Sequence, residues 1–128
     1  MDALQALLSA KPIKELTDTV HIERLGTDFT VKALTMSDVS QLREEATYMK
    51  DGKLAVNEEQ LGLLMIVKAT VSPDFKDKTL MAHFEAKTAT QCVQNALLAA
   101  EFNALTQAVV KVSGLAPATA KEIDDTKN

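Results

Sequence analysis

The chain has 128 residues, 46% of them hydrophobic and 25% charged, with a formal net charge of −4 and a single cysteine. Such a chain reads as one globular domain that buries roughly two-thirds of its unfolded surface, and a lone Cys92 excludes an intrachain disulfide. Scattered basic residues on an acidic chain argue against nucleic acid as a partner, and one tyrosine, four phenylalanines and no tryptophan leave little for base stacking.

Residues 3–9 read as a short amphipathic helix. Asp2 stands where a secretory signal carries positive charge, and Gln5 and Ser9 interrupt the apolar stretch, so no targeting peptide is expected. Pro12 breaks the chain. Two alternating runs follow, Thr19–Leu25 and Phe29–Leu34, around Gly26-Thr27-Asp28. Val20, Ile22 and Arg24 share one face and Phe29 and Val31 another, a hairpin pattern.

Thr35 with Asp38 is a capping pair that opens a helix, with Met36, Val39, Leu42 and Ala46 as its apolar stripe and Tyr48-Met49 at its end. Asp51-Gly52 marks a turn, and Lys53–Val56 a short extended piece. Asn57 with Gln60 opens the next helix, with Glu58 and Glu59 at its positive end. Leu61–Val71 is apolar on nearly every side, which predicts a central helix buried all round; its β-branched content leaves a buried strand as the alternative. The longest apolar run, Leu61–Val67, is about a third of the roughly 20 residues that a bilayer requires, so no membrane span is expected.

Ser72-Pro73-Asp74-Phe75 ends that element. Asp77–Ala86 reads as a short helix with Leu80, Met81 and Phe84 on one side. Thr88 with Gln91 opens another segment, and Phe102, Leu105, Val109 and Val112 keep helical spacing up to Gly114, placed as a C-cap glycine. Pattern leaves open whether residues 88–113 are one helix or two with a break near Ala99-Ala100. Beyond Gly114 the small, polar sequence around Pro117 predicts a frayed tail.

Catalytic chemistry finds no support in these residues. His21, His83 and Cys92 lie in separate elements, no pair has metal-ligand spacing, and Cys92 fits a small buried hydrophobe better than a nucleophile. The adjacent carboxylates Glu44-Glu45 and Glu58-Glu59 diverge on a helix surface, and the glycines occur singly, without a phosphate-binding loop. Neither a catalytic site, a metal site nor a cofactor is therefore expected. A binding reading remains. Met36, Met49, Met65 and Met81 fit either plain core positions or an adaptable groove. Phe75, in a polar loop, reads as a local anchor or as a residue presented to a partner. Met81, Phe84 and Phe102 are the candidate partner-binding residues, with Phe75 as a rim.

Three segments in order carry a family likeness: KALT with LR at Lys32–Arg43, VKATVSPDFKD at Val67–Asp77, and the LLAAEFNAL helix running from Leu97 to Gly114. In these the chain resembles the XkdN-like tail assembly chaperones of bacteriophages and prophages of Gram-positive hosts, from about Thr17 to Asn128. It departs from the family pattern at Ala100, where glycine is usual, and in a less acidic C-terminal end. The resemblance implies a non-enzymatic factor in the host bacterial cytoplasm. It would bind the phage tape measure protein, keep it soluble during tail assembly and be absent from the mature virion. Further partners on this reading are a longer frameshifted form of the chain, the tail tube protein and other copies of the chain. The alternative is a structural component of the tail, such as a tube or completion protein.

The expected fold is α+β and mostly helical: an N-terminal β-hairpin packed on a small helical bundle with one fully buried central helix. The chain divides into a short helix and linker over 1–16, a folded core over 17–114, and a tail over 115–128.

Overall fold

The computed structural model describes residues 2–115. It is α+β and mostly helical. Helix α1, Ala3–Ser9, starts where the Asp2 carboxylate accepts the Gln5 N–H at 2.8 Å. A 3₁₀ turn at Ile13–Glu15 follows Pro12. Strands β1, Thr17–Ile22, and β2, Thr27–Lys32, then pair antiparallel, with Val20 opposite Phe29 and Ile22 opposite Thr27. The hairpin stands, but its first strand starts and ends earlier than the alternation predicts. Glu23–Leu25 form a 3₁₀ turn closed by Gly26 at φ 64°, a left-handed conformation that glycine adopts without strain.

Helix α2, Met36–Glu45, opens with a reciprocal cap. The Thr35 hydroxyl accepts the Asp38 N–H, and the Asp38 carboxylate accepts the Thr35 N–H, both at 3.0 Å. That second bond holds the Asp38 carboxyl below the usual range. Leu42 and Ala46 are buried as the stripe predicts, whereas Met36, at the first position of the helix, is 87% exposed. Tyr48 and Met49 do not close α2. They belong to strand β3, Thr47–Lys50, which pairs with β4, Lys53–Val56. Asp51 and Gly52 both have positive φ, 54° and 78°, as the tightest hairpin turn demands, so turn chemistry overrides the helical reading of the residues before it.

Helix α3, Glu58–Ala69, is capped by Asn57, whose side chain accepts the Gln60 N–H at 3.0 Å. It stops two residues earlier than its apolar run. Thr70–Ser72 form β5, which pairs antiparallel with β2 and makes the sheet order β1-β2-β5. The β-branched pair Thr70-Val71 suits a strand, and β2 offers it an open edge. Within α3, Leu61, Leu63, Ile66 and Ala69 are buried, but Leu64, Met65 and Val67 are half-buried and Lys68 is exposed. The helix is therefore buried over a broad face and not all round.

Helices α4, Lys78–His83, α5, Ala89–Ala96, and α6, Ala99–Val112, complete the described fold. Asp77 and Thr88 cap the first two. The 88–113 segment is thus two helices, with the break at Leu97-Leu98. At the far end Gly114, φ 73°, lets the Leu115 N–H reach the Val110 carbonyl at 2.8 Å and its own N–H reach Lys111 at 3.1 Å, a Schellman closure. The Ser113 hydroxyl accepts the Leu34 N–H at 2.9 Å, fastening the end of α6 beside β2. Helix α3 packs on α2, α5 and α6, and α6 lies on β1 and β2. The frayed-tail expectation concerns 115–128, of which all but Leu115 lies outside the described residues.

Candidate partner-binding surface

The four candidate residues part company in the structure. In the Pro73–Lys78 loop the Asp74 carboxylate accepts the Lys76 N–H at 2.9 Å, and the Asp74 carbonyl accepts the Asp77 N–H at 3.0 Å. This curl turns Phe75 inward, where it is 1% exposed and meets Phe29 edge-on at 6.3 Å between ring centres. Phe75 is a core anchor and cannot form the rim of a binding surface. Met81 and Phe84 sit half-buried at α4, packed against the core, and the Phe84 carbonyl accepts a hydrogen bond from the Asn95 side chain of α5 at 2.9 Å.

Phe102 lines an open cleft. Its ring lies over Gly62 of α3, so close that a Cβ there would sit 3.4 Å from the ring. Around it α3, α5 and α6 enclose a cleft of about 300 Å³, lined by Glu59, Leu63, Val93, Gln94, Leu97, Ala99 and Phe102. The walls are mostly apolar, with Gln94 as a neutral polar residue and Glu59 as the one ionisable side chain among the lining residues. Leu63 was legible only as an apolar position of α3, and Val93 and Leu97 only as apolar positions of the α5 segment; their convergence with Phe102 of α6 depends on the break at Leu97-Leu98.

That break is held electrostatically. The Glu101 carboxylate accepts the Leu98 N–H at 2.8 Å, capping α6, and also accepts two hydrogen bonds from the Arg24 guanidinium, each at 2.8 Å. Arg24 further donates to the Ala96 carbonyl at 3.1 Å, at the end of α5. The Arg24 bond and then the Leu98 N–H hold the Glu101 carboxyl below its ordinary value.

Other groups weighed from the sequence are placed apart from the cleft. His21 pairs with its cross-strand neighbour Asp28 at 2.7 Å on the exposed hairpin. Cys92 is buried, and burial pushes its thiol up, away from the reactive thiolate. Among the described residues no three His, Cys, Asp or Glu side chains gather as metal ligands, and no helix is long and apolar enough to cross a membrane. Of the methionines, Met65 and Met81 pack against the core, whereas Met36 and Met49 are exposed.

A family model described as phage XkdN-like tail assembly chaperone protein matches residues 4–127. The chain belongs to that family. No curated protein gives a significant match. Among solved structures, the chain is similar to the protein YqbN, a structural-genomics crystal structure, at 18% identity with a TM-score of 0.60 over 77% of this chain and 86% of that one. At that identity the likeness speaks for the fold alone. As a tail assembly chaperone the protein works in the host while tails are built, and a phage tail protein is the partner to fit to its surface.

Proposed function

We propose that this tail assembly chaperone binds the tape measure protein through the α3/α5/α6 cleft, holds it soluble in the host cytoplasm until the tail tube forms, and leaves before the virion matures. The observation that carries the reading is the cleft itself: Leu63, Val93, Leu97 and Phe102 present an apolar trough between three helices. Helix-in-groove recognition uses apolar anchors at helical spacing, and a long helical protein awaiting its tube exposes such stripes. The net charge of −4 helps to keep the free chaperone soluble. The role is binding, with no reaction to catalyse.

The test is co-expression with the tape measure protein encoded by the same phage. The expected result is a larger soluble fraction of that protein, and a complex on size exclusion that is missing from purified virions. Recovery of the chain in stoichiometric amounts from virions would make it a tail component instead.

A further inference from the structure

Helices α2 and α3 leave a second open groove between them, of about 190 Å³, floored by Leu42, Leu64 and Val67 and rimmed by Gln41, Glu45, Lys68 and Lys76. It is the unburied side of α3, and it is too small for the stripe of a partner helix. Cations outnumber acids two to one in its lining, on a chain of net charge −4, and neither lysine has an ion-pair partner among the described residues. The nearby Asp74 carboxylate is turned to the Lys76 backbone N–H. Such a groove fits one aliphatic side chain flanked by carboxylates.

The chain carries that pattern. Ile123 is the one large apolar side chain beyond Leu115, and Glu122, Asp124 and Asp125 surround it. The stretch that leads to it also departs beside the groove. The Ser113 hydroxyl accepts the Leu34 N–H at 2.9 Å, which sets the end of α6 next to the start of α2. Lys68 acts through space on the Asp38 carboxyl in the first turn of α2, so it stands near that same end. Gln41 is five residues into α2, about 8 Å along the axis. Residues 116–122 span up to about 25 Å when extended, which is ample. The α3/α5/α6 cleft suits this stretch less. It opens at the other end of α6, a helix of 14 residues and so about 20 Å away. Its one ionisable lining residue, Glu59, repels carboxylates. A third trough, between α2 and β4, sets Arg43 against Glu44 and offers no cation excess.

We propose that residues 122–125 dock in the α2/α3 groove of their own chain, with Ile123 on Leu42, Leu64 and Val67 and the carboxylates against Lys68 and Lys76. A short tether raises the local concentration to about the millimolar range, so a contact too weak between separate molecules is populated within one. The latch covers the open side of α3 in the free chaperone and leaves the α3/α5/α6 cleft untouched.

The latch needs no phage partner, so its failure would leave the tape measure reading standing. A spin label on Thr126→Cys of the full chain, with Cys92 buried, is expected to broaden the amide signals of Gln41, Lys68 and Lys76 more than those of Val93 and Leu97. Ile123→Ser, and separately Lys68→Glu with Lys76→Glu, are expected to reduce that broadening severalfold while the rest of the amide spectrum stays in place. Broadening that is absent, or strongest at Val93 and Leu97, would overturn the proposal, as would broadening indifferent to both variants. So would equal broadening of isotope-labelled chains without the spin label when they are mixed with spin-labelled ones, since the tail would then be reaching another copy.

Discussion

Arg24 and Glu101, 77 residues apart in sequence, meet through two hydrogen bonds of 2.8 Å and so tie the first hairpin turn to the start of α6. The same guanidinium reaches the last carbonyl of α5, and the same carboxylate caps α6. One ion pair thereby fixes the corner where α5 turns into α6, the wall of the cleft.

Glu101→Ala is expected to lower the melting temperature more than Arg24→Ala, because it removes the cap at Leu98 as well as the ion pair. The double variant should fall short of the sum of the two, as coupled partners do. Thermal melts of the three variants check this. Equal effects from the two single variants would mean that the cap at Leu98 contributes no more than the Arg24 bond to the Ala96 carbonyl.

Acid should weaken the fold through two carboxylates. Glu101 and Asp38 are both held below their ordinary values in the folded chain. A depressed carboxylate contributes stability that is present above its unfolded pKa, about 4, and is lost as pH falls through the folded value. Denaturant midpoints should therefore be flat for these groups from pH 7 to 5 and decline below about 4. In Glu101→Gln that decline should be shallower.

Phe75→Ala should cost about 3–5 kcal/mol, the range for emptying a buried aromatic site. Met36→Ser, on an exposed residue, should stay within about 0.5 kcal/mol. Chemical denaturation distinguishes them, and a small loss at Phe75 would show that the loop does not anchor the core.

The sequence spoke clearly where the signal was local. The Thr35/Asp38, Asn57/Gln60 and Thr88/Gln91 caps, the Asp51-Gly52 turn and Gly114 all act within a few residues, and each sits where its chemistry predicts. Errors arose where a distant partner decided. Thr70-Val71 continue an apolar helical run but pair with β2. Phe75 stands in a polar stretch, and Phe29, far away in sequence, makes its site. Arg24 was legible only as one more position on a strand face. Of the candidate residues, Phe102 lines the cleft, and the cleft around it needs three helices in place.

Gly62 sets how closely Phe102 approaches α3. Gly62→Ala should be neutral or stabilising by up to about 1 kcal/mol, since alanine favours a helix interior and its methyl meets the Phe102 ring at 3.4 Å, an ordinary contact distance. Gly62→Leu should displace the ring, cost about 1–3 kcal/mol and reshape the cleft. Melting curves for the pair would reveal whether the ring is packed on α3 as described.

The most direct test of the binding account is affinity for the tape measure protein at about 0.5 M salt, where the Debye length falls to roughly 4–5 Å and exposed charge pairs are screened. It should be measured for the wild type and for Leu97→Glu, whose side chain lines the cleft. The account expects a wild-type complex that survives the salt, and at least a tenfold loss of affinity in a Leu97→Glu chain that remains folded. A complex that dissolves at that salt, or one that Leu97→Glu leaves intact, would contradict it.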